Sequence, residues 1–205
     1  MKWIFQNGII SEKDLEQISL LDKMTYSEKY LLSIDEYKER LNKNPNQLYI
    51  IKNSKRDIVA YVSIIPLTYD AYIRIKNGET DRDVITVNSI IAANDKKEYY
   101  YWDSIIVDPK YRRMKLGKRI ANFALKDIIK NNPDIKGIMA HAISKGGINI
   151  TKKYGLEIKK NLDKTTVVVE RVFNKKSYVR SRTYKDRDKK LQLHKKIKVI
   201  DYGLV

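Results

Sequence analysis

The stretch that decides the fold is Ile105-Ile106-Val107-Asp108-Pro109-Lys110-Tyr111-Arg112-Arg113-Met114-Lys115-Leu116-Gly117-Lys118-Arg119-Ile120. Its apolar beginning predicts a β-strand that ends at Asp108-Pro109. A short basic turn follows, and an amphipathic helix begins within a few residues. The start of a helix presents backbone N–H groups without intrahelical partners and the positive end of the helix dipole. Strand, basic turn and helix in this order therefore predict a phosphate-binding site.

The same stretch resembles the acyl-CoA-binding motif of the GNAT N-acetyltransferase family. In that motif an apolar strand is followed by V-x-P-x-Y-R-x-x-G-x-G and then by a helix. The positions in register are Val107, Pro109, Tyr111, Arg112 and Gly117. Lys115 departs from the pattern, because it stands where the motif has its first glycine. The alternative is an ordinary strand–turn–helix connection in another α/β protein.

The resemblance implies that the chain binds acetyl-CoA. The backbone expected to hold the pantetheine arm is that of Ile105, Ile106 and Val107. The residues expected around the phosphates are Arg112, Arg113, Met114, Lys115, Leu116, Gly117 and Lys118. Gly117 has no Cβ, so a phosphate can approach its backbone closely. The side chain of Lys115 has three possible roles: to crowd the pyrophosphate, to point outward, or to contact a phosphate.

Further along the chain, Ser144 and Gly147 match positions where a helix of the family approaches the pantetheine. The alternative for Ser144 is a structural role as the N-cap of that helix. Many family members also carry a tyrosine, the general acid, four residues before a glycine. Thr151 occupies that position before Gly155, while Tyr154 is next to the glycine. The sequence therefore predicts no tyrosine acid there.

The order of predicted elements agrees with the resemblance. Two helices with capping boxes begin at Ser11 and Ser33. The elements expected after them are a hairpin at 47–65, a helix at 69–76, a central strand at 98–107, a helix at 116–130, a strand at 135–143, a short helix after Ser144 and a hairpin at 156–173. This order predicts an α+β (mixed α/β) fold with a central mixed sheet flanked by helices. It is the element order of the GNAT acyl-CoA N-acyltransferase fold. We expect an acyltransferase domain at 1–173 and a basic C-terminal extension at 174–205.

Asp103 is the candidate catalytic residue. It occupies a position in the central strand, four residues before Val107, where many family members carry a carboxylate. Strict alternation would place it on one face with Tyr99, Tyr101, Ile105 and Val107. A half-buried carboxylate among aromatic residues has a raised pKa, as a base for an ammonium substrate requires. The alternative is a structural aspartate that accepts hydrogen bonds from a neighbouring strand or turn.

Composition limits the remaining possibilities. The chain has 205 residues, a length that suits one domain with an appendage, and no cysteine, which excludes disulfides and a cysteine nucleophile. No apolar run approaches the roughly 20 residues of a membrane span, and no apolar segment follows the N-terminus to indicate a signal peptide. His141 and His194 have no metal-ligand spacing, so no metal site is predicted. Together these features favour a cytoplasmic protein that does not bind membranes.

The net charge of +17 is unevenly distributed. Residues 1–97 hold 15 Lys and Arg against 14 Asp and Glu, while 98–173 and 174–205 each carry an excess of eight positive charges. A basic rim suits the phosphates of CoA. The basic and aromatic extension suits a nucleic acid or another acidic partner, although a solvated basic tail is the common alternative. Residues 196–200 are also able to add a strand to a sheet edge, either here or in a second subunit as a homodimer.

The resemblance leaves the acceptor open. Acceptor pockets in this family use the first two helices and variable loops, which correspond here to residues 20–40 and 66–97. The expected activity is an acetyl-CoA-dependent N-acyltransferase in which a primary amine attacks directly in a ternary complex. Two alternatives remain open at this point. One is a GNAT-like protein that binds RNA or the ribosome, or acts on an RNA-borne or protein amine. The other is a non-catalytic acyl-CoA binder.

Overall fold

The computed structural model describes residues 2–173, and the predicted extension at 174–205 lies outside the described residues. The chain divides into two compact units, one up to Asp134 and the other from Ile135 onward. The predicted acyltransferase domain at 1–173 stays a prediction. No helix in the described part of the chain is long and apolar enough to cross a membrane.

The first unit is built on four antiparallel strands in the order β1-β2-β3-β4. Their bounds are β1 (Ile4–Asn7), β2 (Leu48–Lys52), β3 (Ile58–Leu67) and β4 (Tyr99–Val107). The predicted hairpin and central strand are therefore confirmed. The sequence analysis missed β1, whose four residues are too few for a clear period-two pattern and which exists by pairing with β2.

Five helices of the first unit accompany this sheet. They are α1 (Glu12–Lys23), α2 (Ile34–Lys43), α3 (Tyr69–Asn77), α4 (Asp81–Val84) and α5 (Leu116–Asn131). Both predicted capping boxes are confirmed, because Ser11 pairs with Asp14 and Ser33 with Glu36. Each box satisfies two backbone N–H groups that a helix start would otherwise leave unbonded.

Helices α1 and α2 cover one face of the sheet. The buried side chains of this cluster are Leu15, Ile18 and Leu21 of α1, Tyr37 of α2, Leu48 and Ile50 of β2, Ile58 and Tyr61 of β3, and Ile106 of β4. Full burial of one such aliphatic side chain contributes about 1.5–3 kcal/mol. The apolar segment at 84–91 also packs against the sheet, since Val84, Ile85 and Ile90 are buried and Ile90 forms a bridge with Leu67 of β3.

Helix α5 packs on the same sheet through contacts with β2, β3 and β4. Its buried residues are Leu116, Ile120, Ala121, Ala124, Leu125 and Ile128. Phe123 of the same helix is half-buried and packs edge-on against the rings of Phe5 and Tyr49. Asp127 accepts hydrogen bonds from Tyr49 and Asn7, so α5 is also held to β1 and β2 by polar contacts.

A β-bulge in β4 changes which side chains share a face. Ser63 of β3 is opposite Ser104, but the next residue, Ile64, is opposite Trp102, so Asp103 has no partner on β3. Ile106 consequently packs in the α1/α2 cluster, on the face to which Asp103 points. The predicted grouping of Asp103 with Ile105 and Val107 is wrong, because one extra residue reverses the alternation after the bulge.

The second unit contains β5 (Gly137–Ala142), α6 (Lys145–Lys153), β6 (Glu157–Asn161) and β7 (Val167–Val172). Its three strands are antiparallel in the order β5-β7-β6, and α6 packs on β5 and β7. The predicted strand, short helix and last hairpin are thus confirmed. With seven strands and six helices in the described residues, the predicted α+β fold class is confirmed as well.

Candidate active site

The turn between β4 and α5 has the local geometry of an anion site. The Asp108 side chain accepts a hydrogen bond from the N–H of Lys110 at 2.8 Å, and its backbone oxygen accepts one from Tyr111 at 2.8 Å. After this tight turn, Arg113 and Lys115 have positive φ angles of 66° and 58°. Lys115 is the N-cap of α5, and its side chain forms no capping hydrogen bond. The first N–H groups of a 16-residue helix are therefore left for an external acceptor.

The conformation of Lys115 explains why its position suits glycine. A residue with a side chain in the left-handed region is strained by about 1–2 kcal/mol, whereas glycine is not. Lys115 adopts this conformation nonetheless, and its side chain is exposed to solvent. Its charge therefore stays close to the helix start.

The side chains around this turn are mostly accessible. Arg112, Arg113, Met114 and Lys118 are exposed, and Gly117 is half-buried. Leu116 is buried and contributes to the site only through its backbone. The basic residues here can attract a phosphate, while the backbone supplies its directional hydrogen bonds.

Tyr111 anchors the turn to the N-terminal part of the chain. Its hydroxyl accepts a hydrogen bond from Asn53 Nδ2 at 3.2 Å, and its ring meets the ring of Trp3 edge-on at 5.8 Å. Asn53 itself closes the β2–β3 turn through hydrogen bonds with Asp57 and Lys55. The turn before α5 is thus fixed in place by residues that the sequence analysis did not single out.

Asp103 lies in the bulge, half-buried on the face covered by α1 and α2. Burial raises its pKa to about 6, against the lowering effect of Arg40, while the negative charges of Asp81 and Asp22 raise it further. The hydroxyl of Ser63 lies near this carboxylate and has a smaller lowering effect on its pKa. Asp103 is therefore largely ionised at neutral pH and still basic enough to accept a proton.

Beyond the bulge, β4 directs one N–H group away from its neighbour strand. The N–H of Asp108 donates to Val59 of β3, and the direction of the N–H groups alternates along a strand. The N–H of Ile105 therefore points away from β3 and lies near the hydroxyl of Tyr26. Tyr26 follows α1, and its pKa is raised by burial and by the nearby charges of Asp103 and Asp22.

A small pocket, with a volume of about 10 Å³, lies on the face where Asp103 is found. Its lining residues are Leu32, Tyr37, Arg40, Leu41, Gln47, Leu48, Ser63, Ile65 and Asp103. Several of them come from the range 20–40 in which an acceptor pocket was expected. The polar groups of the lining were not identifiable from the sequence, since Arg40 and Ser63 are single polar residues in ordinary helix and strand patterns.

A second buried carboxylate lies behind this pocket. Asp22 of α1 accepts hydrogen bonds from the hydroxyl groups of Tyr37, at 2.6 Å, and Tyr61. Burial raises the pKa of Asp22, and the two tyrosine hydrogen bonds oppose that change. Both tyrosine hydroxyl groups donate to Asp22. The hydrogen-bonded group of Asp22, Tyr37 and Tyr61 therefore supports the pocket from behind.

Ser144 and Gly147 belong to the second unit. Ser144 is the N-cap of α6 and its hydroxyl accepts from the N–H of Gly147 at 3.0 Å, in agreement with the structural alternative. A Cβ at Gly147 would lie 3.3 Å from that hydroxyl oxygen, so the close approach favours glycine. Thr151 donates to backbone oxygens of its own helix, and Tyr154 is buried. Within residues 2–173, no three His, Cys, Asp or Glu side chains are grouped to hold a metal ion.

Comparisons with known proteins agree with this geometry. A family model described as the acetyltransferase (GNAT) family matches residues 14–145. No curated protein matches the chain in sequence. Among solved structures, the loading GNATL domain of CurA from Lyngbya majuscula has a TM-score of 0.60 at 13% identity, with 84% of this chain and 98% of that chain covered. Ard1 from Thermoplasma volcanium has a TM-score of 0.57 at 12% identity, with 84% and 99% covered. At such identities the likeness concerns the fold alone.

Proposed function

We propose that this chain, which belongs to the GNAT acetyltransferase family, is an acetyl-CoA-dependent N-acyltransferase in which a primary amine attacks the thioester directly while donor and acceptor are bound together. The observation that carries the proposal is the adjacency of two features on one strand. β4 contains Asp103 in its bulge and leads directly into the turn with the uncapped start of α5. The proposed base and the proposed anion site would thereby lie within one short segment of chain.

The residues present suit the donor. The uncapped first turn of α5 and the backbone of Arg113 to Lys118 would bind the pyrophosphate, with the exposed basic side chains adding attraction. The backbone of Ile105 to Val107 would align the pantetheine arm, because the N–H of Ile105 points away from β3. Ser144 and Gly147 remain candidates for contacts with the same arm. When bound, acetyl-CoA supplies a thioester whose carbonyl carbon an amine can attack.

Asp103 would act on the acceptor. An amine is protonated at neutral pH and must lose a proton before it can attack. The carboxylate of Asp103, with a pKa of about 6, is ionised at pH 7 and accepts that proton directly or through one water molecule. The nearby hydroxyl of Ser63 helps to stabilise the ionised form of the carboxylate. The thiolate of CoA leaves readily without an acid, so the lack of a tyrosine at Thr151 does not oppose the reaction.

The experiment that tests the proposal measures release of the CoA thiol from acetyl-CoA in the presence of a panel of primary amines. The expected result is amine-dependent thiol release together with saturable binding of acetyl-CoA. Binding without thiol release from any amine would favour the non-catalytic binder. Failure to bind acetyl-CoA or CoA at all would overturn the proposal. The suggested nucleic-acid partner and homodimer remain predictions, since they depend on residues 174–205.

A further inference from the structure

A basic surface lies at the end of the sheet where β4 leads into α5. The β2–β3 turn and the β4–α5 turn are joined there, because Asn53 Nδ2 donates to the hydroxyl of Tyr111 at 3.2 Å. The ring of Trp3, which precedes β1, meets the ring of Tyr111 at 5.8 Å. We call the exposed cations of these three segments the turn surface; they are Lys2, Lys55, Arg56, Lys110, Arg112, Arg113, Lys115 and Arg119.

The turn surface is not neutralised by ion pairs. None of its eight cations pairs with a carboxylate in the described part of the chain, whereas nearby Lys52 pairs with Asp14. The acidic residues within the same two turns are Asp57 and Asp108, and both accept hydrogen bonds that close those turns. The turn surface therefore carries a high net positive charge, which attracts polyanions.

Acetyl-CoA would use only part of this charge. In the proposed function its pantetheine arm lies on the side of β4 that faces away from β3, the direction in which the N–H of Ile105 points. Lys55 and Arg56 belong to the turn that leads into β3, on the other side of β4. Lys2 precedes β1, which pairs with β2. These three cations are therefore left for a second anion.

Arginine is enriched in the turn surface. The chain has 31 lysines and 11 arginines, whereas half of the turn surface is arginine, namely Arg56, Arg112, Arg113 and Arg119. A guanidinium binds a phosphate through two parallel hydrogen bonds, which the point charge of a lysine does not provide. This composition suits a ligand that carries several phosphates.

Trp3 distinguishes a nucleic acid from other polyanions. Its ring is partly accessible, and the contact with Tyr111 holds it among the cations. Nucleobases stack on aromatic rings, which carboxylate side chains and lipid headgroups do not. The large apolar side chains exposed in these segments are Ile4 and Met114, too few for an apolar face that enters a bilayer.

We propose that the turn surface binds a single-stranded nucleic acid, with phosphates on the cations of the two turns and a base stacked on Trp3. RNA and DNA share this chemistry. Such binding requires no turnover and is independent of the acyltransferase. It is also distinct from any contact made by the basic extension at 174–205, which lies outside the described residues.

The first test measures how the affinity of the full chain for an oligouridylate RNA depends on salt. Lys55→Gln combined with Arg56→Gln removes two cations away from the proposed donor site. The matched control is Lys152→Gln combined with Lys153→Gln, which removes two exposed cations of α6.

Each phosphate contact of a single strand contributes about 0.7 to the slope of log affinity against log salt. We therefore expect the magnitude of the slope to fall by about 1.4 in the Lys55/Arg56 variant and to be unchanged in the control. An unchanged slope in both variants, as for a protein that binds through its extension alone, would overturn the proposal. An equal change in both would overturn it as well, since it would indicate diffuse attraction.

The second test concerns stacking on Trp3. The chain has two tryptophans, and the other one, Trp102, is buried. Tryptophan fluorescence should therefore be quenched when oligouridylate binds, and this quenching should be absent in Trp3→Phe. Trp3→Leu, which has no ring, should bind about 10-fold more weakly than Trp3→Phe. Unchanged fluorescence of the wild type at saturation would contradict stacking, whether or not Trp3→Leu folds.

The third test compares possible polyanions. The ligands are RNA and DNA oligonucleotides of equal length, a polyglutamate of equal charge and phosphatidylserine vesicles. Tighter binding of RNA indicates a contribution of the 2′-hydroxyl, and equal or tighter binding of DNA indicates recognition of phosphates and bases alone; each result supports the proposal. Tighter binding of polyglutamate or of the vesicles would overturn it.

The same series with saturating CoA separates the turn surface from the donor site. We expect oligouridylate to remain bound, because Lys2, Lys55 and Arg56 lie away from the proposed pantetheine arm. Complete displacement of the RNA by CoA would show that these cations belong to the donor site, and it would overturn the proposal without affecting the acyltransferase.

Discussion

Asp103 and Ser63 meet at the bulge of β4, where β3 leaves Asp103 without a strand partner and the Ser63 hydroxyl lies near its carboxylate. The extra residue makes β4 present Asp103 on the face covered by α1 and α2, beside the pocket. It also reverses the alternation that follows, so that the N–H of Ile105 points away from β3. One irregular position thus sets the directions of both the Asp103 side chain and the backbone donor that follows it.

The first prediction concerns the base. Asp103→Asn should lower turnover at neutral pH by more than about 10-fold, because asparagine cannot accept the amine proton. The wild-type rate should fall as the pH drops through about 6, where the carboxylate becomes protonated. Rates measured from pH 5 to 8 test both statements. Asp95→Asn, on an exposed segment, is the control, and an unchanged pH–rate profile in Asp103→Asn would exclude the role.

The second prediction concerns stability. The pKa of Asp103 is raised from 3.8 to about 6, so the folded state holds this proton more tightly than the unfolded state does. Asp103 therefore makes the free energy of unfolding decrease as the pH rises from about 4 to about 6. Asp103→Asn should not show this decrease and should be more stable than the wild type at pH 7.5. The difference in the free energy of unfolding, variant minus wild type, should increase by about 2 kcal/mol from pH 4.5 to pH 7.5. Urea unfolding of both proteins at the two pH values checks this prediction. If the difference in their free energies of unfolding is the same at both pH values, the prediction is contradicted.

The third prediction concerns Tyr26. Its hydroxyl lies near the N–H of Ile105, which in the proposed function would bind the carbonyl oxygen of an acyl group. Tyr26→Phe should therefore increase the affinity for acetyl-CoA relative to CoA, by about 3-fold to 10-fold. Calorimetry with the two ligands measures the ratio. Tyr30→Phe, whose ring is 6.5 Å from that of Tyr26, is the control. Equal ratios of acetyl-CoA to CoA affinity in the two variants would argue against competition between Tyr26 and the acyl group for the N–H of Ile105.

The fourth prediction concerns the left-handed residue before α5. Lys115→Gly should increase the free energy of unfolding by about 1 kcal/mol, because glycine adopts a φ of 58° without strain. Lys110→Gly, in the same turn at a position without a positive φ, should instead decrease stability. Urea unfolding of the ligand-free proteins decides between them. A loss of stability in both variants would show that strain at Lys115 is negligible.

The fifth prediction concerns the support of the pocket. Tyr61→Phe removes one of the two hydroxyl donors to the buried carboxylate of Asp22. We expect the free energy of unfolding to decrease by about 1–3 kcal/mol, the usual effect of leaving a buried acceptor short of a partner. Tyr69→Phe removes a hydroxyl from an exposed tyrosine and serves as the control. If the two variants are equally stable, the hydrogen bond from Tyr61 to Asp22 contributes little to the free energy of unfolding.

The sequence alone determined the features that depend on neighbours along the chain. The capping boxes at Ser11 and Ser33, the helix stop at Gly78 and the strand–turn–helix around Pro109 are local patterns, and each is present in the structure. The resemblance of that turn to a family motif was sufficient to identify the family. Asp103 was also recognised as the one carboxylate inside an apolar strand.

Tertiary structure alone decided what surrounds those features. The bulge at Asp103 is a register relation between two strands, and a period-two pattern in one strand cannot reveal it. Arg40, Ser63 and Asp22 come from α2, β3 and α1. Their importance for the pocket becomes visible only when these elements pack together. Lys115 is the clearest case. As a lysine it departs from the sequence motif, whereas its left-handed backbone conformation preserves the turn. Local propensity sets which elements form, but the packing of distant side chains sets which polar groups share a pocket.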